Sequence, residues 1–463
     1  MRLPNIIYTI SKKLNEHNAK AIVVGGAVRD YFLELPIKDY DIEVYGLESL
    51  EVLEVILAQY GAVNLVGKSF GILKFTHNKE EYDFSFPRRE EKIGVGHRGF
   101  DISIDGDMSF KEASVRRDFT INAMGYDVEM KLFLDPYGGE NDIEHSLLRH
   151  IDDETFIEDP LRVYRAVQFS ARFDYTLCDE TFELCRSMVA NGMLDELAKE
   201  RVYVEFKKLL LKSSKPSIGF ELMRELDILS YFPELKAIIG VVQSEKWHPE
   251  GDVWIHTMMC VDAMTQLLGS NEKQNLRYML AILCHDFGKA TTTLVDEEGN
   301  IRAIGHEEAG LKPTEKFLYR LTNEHDFIAS ILPLVEHHLK PSQFYKGKAS
   351  DRAFRRLATK VNLSELAVVA KADFLGRTTA ESKSGLYLAG KWFLDRAEQL
   401  SVSKKPLNSL VFGRDLIALG LTPSPLFKKI LTHLYQRQLE GDIRTKEEAV
   451  AYIKLNYLGG DDA

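Results

Sequence analysis

The amino-acid sequence predicts an α+β multidomain fold, in which a small mixed α/β head is followed by all-α domains. The chain has 463 residues, which at about 150 residues per domain corresponds to roughly three domains. Short apolar runs alternate with helix-like segments over residues 1–145. From Asp159 onward, apolar residues recur every three or four positions, which is typical of amphipathic helices.

The head begins with an amphipathic pattern over residues 1–19, which predicts a first helix. An apolar strand is expected at 21–24, followed by a Gly-Gly turn and a helix over 27–35 that Pro36 ends. Further strands are expected at 40–45, 72–76 and 81–86, with a helix over 48–60. Together these elements predict one mixed α/β unit.

Changes in composition divide the chain into four predicted parts. Residues 1–145 form the head, 146–245 are helical, and 246–400 are helical and rich in histidine. Residues 401–463 are expected to form a helical tail, interrupted by glycines and prolines.

The composition is that of a globular protein, with 45% hydrophobic and 28% charged residues. The net charge is −11, from 59 Lys+Arg and 70 Asp+Glu, so nucleic acid would have to bind through local basic patches. The four cysteines fit neither a disulfide framework nor a zinc cluster. The sequence shows neither a signal peptide nor an apolar run of about 20 residues, so we expect a cytoplasmic enzyme with no membrane contact.

Two carboxylates near the second strand are candidate catalytic metal ligands. Asp39 and Asp41 are two residues apart in KDYDIEV (38–44), and residues i and i+2 of a strand face the same side. Adjacent carboxylates repel unless a cation joins them, which suits Mg²⁺ in a phosphoryl-transfer site. The preceding motif GGAVRD (25–30) is a strand-to-helix turn that lets phosphate approach the backbone. Taken alone, each motif also fits a purely structural role.

A later motif, RRDFTINA (116–123), brings together two cations, an acid and an amide. Arginine suits a triphosphate because its planar fork pairs with phosphate oxygens. Asp118 can fix an arginine or accept a hydrogen bond from a ribose hydroxyl. A surface helix start with paired charges is the alternative interpretation of this motif.

The chain resembles the bacterial class II tRNA nucleotidyltransferases, the CCA-adding enzymes of the DNA polymerase β-type superfamily. The resemblance rests on five motifs in the order of the family: GGAVRD, KDYDIEV, RRDFTINA, DPYGG (135–139) and EDPLRVYRAVQFSARF (158–173). The match spans roughly residues 20–210. The resemblance implies a nucleotidyltransferase head, then a helical neck and body. It implies that Asp39 and Asp41 hold Mg²⁺ while the 3′-hydroxyl of tRNA attacks the α-phosphate of CTP or ATP and pyrophosphate leaves. Asp83 is the candidate for a third carboxylate.

The same resemblance implies which residues bind the nucleotide. They lie at the triphosphate (Gly25, Gly26, Arg29, Asp30), at the ribose and phosphates (Arg117, Asp118, Asn122) and in the neck helix (Asp159, Arg162, Arg165).

In the neck, Pro160 fits the first position of a helix and Asp159 fits its N-cap, which is a purely structural explanation. The family resemblance implies instead that Asp159 and Arg162 hydrogen-bond the Watson–Crick edges of CTP and ATP. A carboxylate acceptor and guanidinium donors complement the mixed edges of both bases. We call Asp159 and Arg162 the protein template. A later motif, ERVYVE (200–205), is expected to supply a salt-bridge network that positions this template, through Glu200, Arg201 and Glu205.

The histidine-rich part contains His256, His285-Asp286 and Asp373 in the order typical of HD-domain metal phosphohydrolases. Imidazole with carboxylate suits a transition metal, and the residue types alone do not identify which one. The resemblance, to the gamma-proteobacterial arrangement, implies phosphatase, 2′-nucleotidase and 2′,3′-cyclic phosphodiesterase activities in this HD-like helical domain. Further candidates for a second metal or the phosphate are His306, His337 or His338, and Lys289; His248 has no predicted role.

Three segments are expected to contact RNA. Segment 88–99 is glycine-rich and charged, which predicts a mobile loop that in the family serves the final adenosine step. Basic patches at 196–215 and 340–360 are expected to bind tRNA phosphates with salt-dependent affinity, with a solvated face as the alternative. The expected partners are therefore tRNA, CTP and ATP. No protein partner is indicated, and the chain is expected to be a monomer or a homodimer.

Three alternative functions share some of these motifs. An A-adding enzyme of a split CC/A pair is compatible with the motifs. A poly(A) polymerase is disfavoured by the neutral Ser69-Phe70-Gly71 and by the non-basic tail GGDDA. An HD phosphohydrolase with a nucleotide-sensing head is disfavoured because such a head does not need both Asp39 and Asp41.

Overall fold

The computed structural model describes residues 1–66, 71–92, 100–104 and 108–458. The chain divides into two compact units, Met1–Tyr231 and Phe232–Ala463. The predicted fold class is confirmed, because a small mixed sheet occupies the N-terminal part and the second unit is almost entirely helical. The division into four parts remains a prediction.

A seven-stranded mixed sheet lies at the centre of the described part of the first unit. Its strands are β1 (Lys20–Val24), β2 (Tyr40–Tyr45), β3 (Ala62–Val66), β4 (Ile72–His77), β5 (Glu80–Ser85), β8 (Gly125–Asp127) and β9 (Leu132–Leu134). Their order in space is β3-β4-β5-β2-β1-β8-β9. Strands β2 and β5 pair in parallel, whereas the other neighbours are antiparallel.

The two faces of this sheet differ. One face carries the main apolar core, to which Ile42 and Val44 of β2 contribute. The opposite face carries a smaller cluster around Ile22, Val24 and Tyr45. Because side chains alternate along a strand, Asp41 lies on the face of the smaller cluster. This alternation places the carboxylate at the rim of a cleft and keeps it out of the core.

Ten helices of the first unit are described. They are α1 (Asn5–Asn15), α2 (Gly26–Phe32), α3 (Leu50–Ala58), α4 (Phe110–Ser114), α5 (Gly139–Glu144), α6 (Asp153–Glu158), α7 (Leu161–Phe173), α8 (Asp179–Ala190), α9 (Lys199–Lys212) and α10 (Pro216–Glu225). Short strands β10 (Leu147–Leu148) and β11 (Thr176–Leu177) pair in parallel between them.

Two predicted helix boundaries are wrong by a few residues. Helix α2 ends at Phe32, before the predicted end at residue 35. Helix α7 begins at Leu161 with Pro160 as its N-cap, while Asp159 is the C-terminal cap of α6. Asp159 nevertheless accepts a hydrogen bond from the Leu161 amide at 3.2 Å, so its carboxylate still caps the start of α7.

The second unit is helical apart from a short hairpin, β12 (Leu294–Val295) with β13 (Ile301–Arg302), that the sequence did not predict. Its helices are α11 (Pro233–Lys236), α12 (Val253–Thr265), α13 (Glu272–Cys284), α14 (Lys289–Thr292), α15 (His306–Ala309), α16 (Leu311–Leu321), α17 (His325–His337), α18 (Lys340–Gly347), α19 (Asp351–Ala358), α20 (Leu363–Leu375), α21 (Ala380–Lys383), α22 (Leu388–Gln399), α23 (Gly413–Ala418), α24 (Pro425–Glu440) and α25 (Lys446–Ile453). Helices α12, α13, α17 and α20 pack against one another and carry or adjoin the predicted metal ligands.

Several sequence predictions concern segments outside the helices. Strand β6 (Arg88–Lys92) pairs with β7 (Phe100–Ile104), so the first residues of the predicted loop 88–99 form a strand. Residues 93–99, the segment 67–70 and the tail 459–463 lie outside the described residues. All four cysteines are free and buried. Among the described helices, none combines the length and apolar character that crossing a membrane requires.

Candidate functional site

Asp41 has two carboxylate neighbours where β2 and β5 run side by side. Asp41 of β2 is in register with Asp83 of β5, and Asp39 immediately precedes β2. Burial raises the pKa of the Asp41 carboxyl, and Asp83 and Asp39 raise it further, while Arg117 opposes them. Mutual repulsion of this kind is relieved by a divalent cation, and carboxylate oxygens are the donors that Mg²⁺ prefers.

The glycine turn brings backbone and arginine close to these carboxylates. Gly25 has φ +67°, and a Cβ there would lie 2.9 Å from Nη1 of Arg117 and 3.9 Å from Oδ2 of Asp41. A side chain at this position would therefore be strained and would displace Arg117. The predicted role of Gly25 at the nucleotide is consistent with this geometry.

Glu43 is a buried carboxylate beneath the site that the sequence analysis did not assign. Its Oε1 accepts hydrogen bonds from Nη2 of Arg116 at 3.0 Å and Nη2 of Arg117 at 2.9 Å. Its Oε2 accepts from the Tyr45 hydroxyl at 2.7 Å. Burial alone would raise the pKa of Glu43, but Arg117 and Arg116 hold it below its ordinary value. The period-two pattern of Asp39, Asp41 and Glu43 was the signal that could have revealed it.

A second buried network joins the head motifs to helix α7. Asp118 accepts from Nε of Arg165 at 2.5 Å and from Nδ2 of Asn122 at 2.9 Å. Arg29 donates from Nη1 to Asn122 Oδ1 at 2.7 Å and from Nη2 to Asp30 at 2.6 Å. Asp30 therefore acts on Arg29, and Arg29 has few donors left for a triphosphate.

The guanidinium groups of this network also contact aromatic rings. Arg29 lies 4.9 Å from the ring centroid of Phe173, and Arg165 lies 5.0 Å from that of Phe169. These cation–π contacts explain why phenylalanines alternate with arginines in α7.

The predicted base-reading residues lie at the start of α7. Asp159 accepts from Nη2 of Arg201 at 2.9 Å. The two terminal nitrogens of Arg162 donate to the carbonyl oxygens of Thr155 at 2.6 Å and Arg116 at 2.5 Å. These hydrogen bonds hold the guanidinium group of Arg162 in place. To donate to a nucleotide base in the same geometry, this group would have to give up one of its two carbonyl partners.

Most predicted nucleotide-binding residues line one cavity of about 410 Å³. Six arginines against three aspartates give it a positive lining that suits a triphosphate. The lining consists of Gly25, Gly26, Arg29, Asp41, Arg116, Arg117, Asp118, Asn122, Asp159, Leu161, Arg162, Arg165 and Arg201.

Five of the residues predicted in the head and neck do not line this cavity: Asp30, Asp39, Asp83, Glu200 and Glu205. Glu205 is buried and lies 2.8 Å from Nζ of Lys208, and Glu200 is an exposed residue in the first turn of α9. Arg201, the third predicted neck-support residue, contacts Asp159.

In the second unit, four histidine rings point their Nε2 atoms at Asp286. The distances to its carboxylate are 3.8 Å from His256, 3.2 Å from His285, 3.3 Å from His306 and 4.0 Å from His338. The structure thus brings His306 and His338 to the predicted ligand set, while His337 points elsewhere and contacts Glu336 at 3.8 Å.

The other nitrogen of each ring is fixed from behind. Nδ1 of His285, His306 and His338 donates at 2.7 Å to the carbonyl oxygen three residues earlier. Because a carbonyl oxygen only accepts, Nδ1 carries a proton, and in the neutral ring Nε2 then keeps its lone pair. Burial lowers the pKa of His338 to about 3, so this ring is neutral.

The carboxylates of this centre are ionised by neighbouring cations. Burial alone would raise the pKa of Asp286, but His285 and Lys289 hold it well below its ordinary value. Arg377, which donates to Asp373 at 2.7 and 2.8 Å, does the same for that carboxyl. Nε2 of His285 and both Asp286 oxygens are buried without a hydrogen bond of acceptable geometry among the described residues. This donor set fits a metal ion.

Glu250 and His248 lie behind His256, and neither received a role from the sequence. Oε1 of Glu250 is 2.9 Å from Nδ1 of His248 and 2.8 Å from Nδ1 of His256. Its Oε2 accepts from the Thr378 amide at 3.0 Å. The contact to His256 is the carboxylate–histidine arrangement that orients metal-binding imidazoles. No periodic pattern links Glu250 to His256, because a loop containing Gly251 (φ +132°) separates them.

Three family models match parts of the chain. The family model "Poly A polymerase head domain" matches residues 21–149, and the model "HD domain" matches 253–377. Residues 174–239 match "Probable RNA and SrmB- binding site of polymerase A". The chain is 38% identical over 325 residues to the multifunctional CCA protein of Acinetobacter baylyi, which covers 69% of this chain and 74% of that relative. The chain belongs to the family of multifunctional CCA proteins.

A second multifunctional CCA protein, from Actinobacillus pleuropneumoniae, is 38% identical over 320 residues, covering 68% of this chain and 74% of the relative. The solved structure of the Bacillus stearothermophilus CCA-adding enzyme in complex with CTP matches with a TM-score of 0.69 at 21% identity, covering 99% of each chain. At this identity the likeness shows the fold alone. The family predicted from the five motifs and the predicted enzyme class are confirmed. Nucleotidyltransferase and HD domains of this family depend on metal ions.

Proposed function

We propose that this chain adds the trinucleotide CCA to the 3′ end of tRNA from CTP and ATP without a nucleic-acid template, and that its HD centre hydrolyses phosphoesters. Membership in the multifunctional CCA proteins supports this function and none of the three alternatives. The observation that carries the proposal is the arginine-lined cavity that opens beside Asp41 and reaches Asp159. One cavity thus offers groups for a triphosphate at one end and for a base at the other.

In the head, each residue has a separate proposed task. Asp39, Asp41 and Asp83 would hold Mg²⁺, which when bound lowers the pKa of the attacking hydroxyl and neutralises phosphate charge. Arg116 and Arg117 bind the triphosphate oxygens, held in position by Glu43. Because these cations are fixed before the substrate arrives, little reorganisation is needed as charge develops on the leaving pyrophosphate.

Base selection is proposed to occur at the start of α7. Asp159 offers an acceptor and Arg162 offers donors, which together complement the Watson–Crick edges of cytosine and adenine. Arg201 positions Asp159 through their 2.9 Å hydrogen bond. The protein thereby replaces a nucleic-acid template.

In the HD centre, His256, His285, Asp286 and Asp373 are the proposed ligands of a transition metal, with His306 and His338 on the same side. When bound, the metal would supply an activated water for phosphoester hydrolysis. Lys289, whose Nζ is 2.7 Å from Asp286, is placed to bind a phosphate oxygen. We place the enzyme in the cytoplasm, because its tRNA substrate is there.

The experiment that tests the head function is nucleotide extension of three tRNA transcripts that end at the discriminator base, at C and at CC. Each is supplied with CTP, ATP or both. We expect full CCA addition to the first transcript by the natural chain and none by the Asp39→Ala/Asp41→Ala variant. Extension of the CC-ending transcript alone, by ATP, would show an A-adding enzyme, and extension of none would contradict the proposal.

A further inference from the structure

Beside the HD centre lies a half-exposed tryptophan that no catalytic role explains. Trp247 exposes 50% of its surface. The ammonium group of Lys246 lies 5.1 Å from its ring centroid, and that of Lys346 lies 5.8 Å away. Both distances are within the range of a cation–π contact. Proteins that bind single-stranded nucleic acids combine an aromatic face, on which a base stacks, with cations that contact the phosphates.

The ring belongs to the same cavity as the proposed metal ligands. A cavity of about 310 Å³ is lined by Trp247 and by Asp286, Asp373, His306 and His338. Its volume lies at the lower end of those that enclose small ligands. A phosphoester bound to a metal that Asp286 and Asp373 hold would therefore lie in a pocket that Trp247 also lines.

Three cations also line this cavity, namely Lys289, Arg302 and Arg377. Lys289 is held by Gln243, to which it donates at 2.7 Å. These positive groups suit the phosphate of a nucleotide whose base lies on the tryptophan.

A second cavity, of about 860 Å³, continues from the first past Trp247 to the β12–β13 hairpin. The two cavities share Trp247, His248, Ile301 and Arg302. Lys346 comes from α18, the helix that begins the basic patch 340–360. A chain of nucleotides thus has room beyond the first base and a basic helix beside it.

We propose that Trp247 is a base-stacking platform, and that the HD centre takes the terminal nucleotide of an RNA 3′ end, with the base on Trp247 and the phosphoester at Asp286 and Asp373. The inference rests on the proposed phosphohydrolase function and goes beyond it by assigning a nucleobase subsite. Stacking is tolerant of base identity, because every base has a π-face. The subsite therefore selects nucleotides over other phosphoesters without selecting one base.

The test compares two substrates with the same cyclic phosphate, of which one lacks a base. The full-length protein is supplied with Mn²⁺ or Ni²⁺, and its hydrolysis of 2′,3′-cyclic AMP is measured beside that of the 2,3-cyclic phosphate of methyl riboside. We expect Trp247→Ala to lower kcat/KM for cyclic AMP about tenfold, mainly through KM, and Trp247→Phe to retain most of it. Hydrolysis of the base-less substrate should not change, and neither should CCA addition.

Phe412→Ala is the matched control, since Phe412 is a 47% exposed aromatic residue with a cation–π contact to Arg414 at 5.4 Å that lines neither cavity. An equal loss for both substrates in Trp247→Ala would overturn the proposal, as would no loss for cyclic AMP. A short RNA ending in a 2′,3′-cyclic phosphate identifies the source of the nucleotide. A lower KM for this RNA than for cyclic AMP is expected for an RNA end, and equal values would identify a free nucleotide.

Binding separates failure of the subsite from failure of the hydrolytic function. Calorimetry measures binding of 2′-AMP and of ribose 2-phosphate to the natural chain and to Trp247→Ala. Suppose that neither cyclic substrate is hydrolysed, while 2′-AMP binds the natural chain more tightly than ribose 2-phosphate does and this difference is lost in Trp247→Ala. In that case the phosphohydrolase function is wrong and the subsite stands. Equal binding of the two ligands would overturn the subsite.

Discussion

Glu43 accepts a hydrogen bond from Arg117 at 2.9 Å, and this contact joins the strand of the catalytic carboxylates to the arginines of the nucleotide cavity. Because Glu43 is 2% exposed, the pair is shielded from solvent. We expect Glu43→Gln to lower the free energy of unfolding by about 3 kcal/mol, since two arginines lose their buried counter-charge. Chemical denaturation measures this loss.

The same variant should raise KM for CTP and ATP, because Arg116 and Arg117 are no longer held toward the triphosphate. Glu81→Gln is the matched control, since the exposed Glu81 pairs with Lys74 at 3.6 Å and should change stability by less than about 0.5 kcal/mol. Unchanged KM values in Glu43→Gln would show that the pair only stabilises the fold.

Asp83 should behave as a metal-site residue, because parallel pairing places it in register with Asp41. We expect Asp83→Asn to raise the Mg²⁺ concentration needed for half-maximal CTP incorporation about tenfold, the size of effect seen for groups that support metal ligands. Titration of extension rates with Mg²⁺ tests this. A Mg²⁺ midpoint equal to that of the natural chain would remove Asp83 from the site.

The head carboxylates were predictable because a strand with period two puts Asp39 and Asp41 on one face. The same rule reaches Glu43, whose role follows only once its burial is known. Glu250 and Trp247 were beyond sequence reasoning, since each reaches the HD centre through a loop that has no period. Strand β8 has three residues, which is too short for alternation to indicate a strand.

Arg201 should control base selection through Asp159. When its hydrogen bond to Asp159 is lost, the carboxylate that reads the base is free to rotate. We expect Arg201→Ala to reduce the preference for CTP over UTP about tenfold, corresponding to about 1.4 kcal/mol. Competition between the two nucleotides on a transcript ending at the discriminator measures this preference.

Arg186→Ala serves as the control for this experiment, because Arg186 is an exposed arginine whose partner Glu183 lies on the same helix α8. Its preference should equal that of the natural chain. If Arg201→Ala slows CTP and UTP to the same extent, Arg201 supports the fold of the neck without positioning the template.

Asp118 should make the first unit sensitive to acid. Burial alone would raise its pKa, but Arg165 and Asn122 hold it below the ordinary value of an aspartate. A carboxyl with a lower pKa in the folded state contributes stability above its unfolded pKa of about 3.9, and this contribution is lost as the pH falls through the folded pKa. We expect Asp118→Asn to be less stable than the natural chain at pH 7 by about 2 kcal/mol.

This difference between Asp118→Asn and the natural chain should shrink steadily below about pH 4, where the carboxyl first becomes protonated in the unfolded chain. The contribution of the charge is fully lost once the pH has fallen below the lower pKa of folded Asp118. Urea denaturation at a series of pH values provides the curves. Glu183→Gln, which removes an exposed carboxylate, should follow the natural chain throughout. A difference that stays constant into acid would show that Asp118 contributes through packing and not through its charge.

Glu250 should set the metal affinity of the HD centre, because its Oε1 fixes Nδ1 of His256 at 2.8 Å. Glutamine keeps an acceptor for one neighbour but presents an amide to the others, so we expect Glu250→Gln to lower metal content and cyclic phosphodiesterase activity about tenfold. Glu250→Ala should lower both about a hundredfold, at the upper end for such support. Metal analysis and CCA extension on the same preparations separate positioning from unfolding. Normal metal content with lost hydrolysis would instead place Glu250 at the substrate.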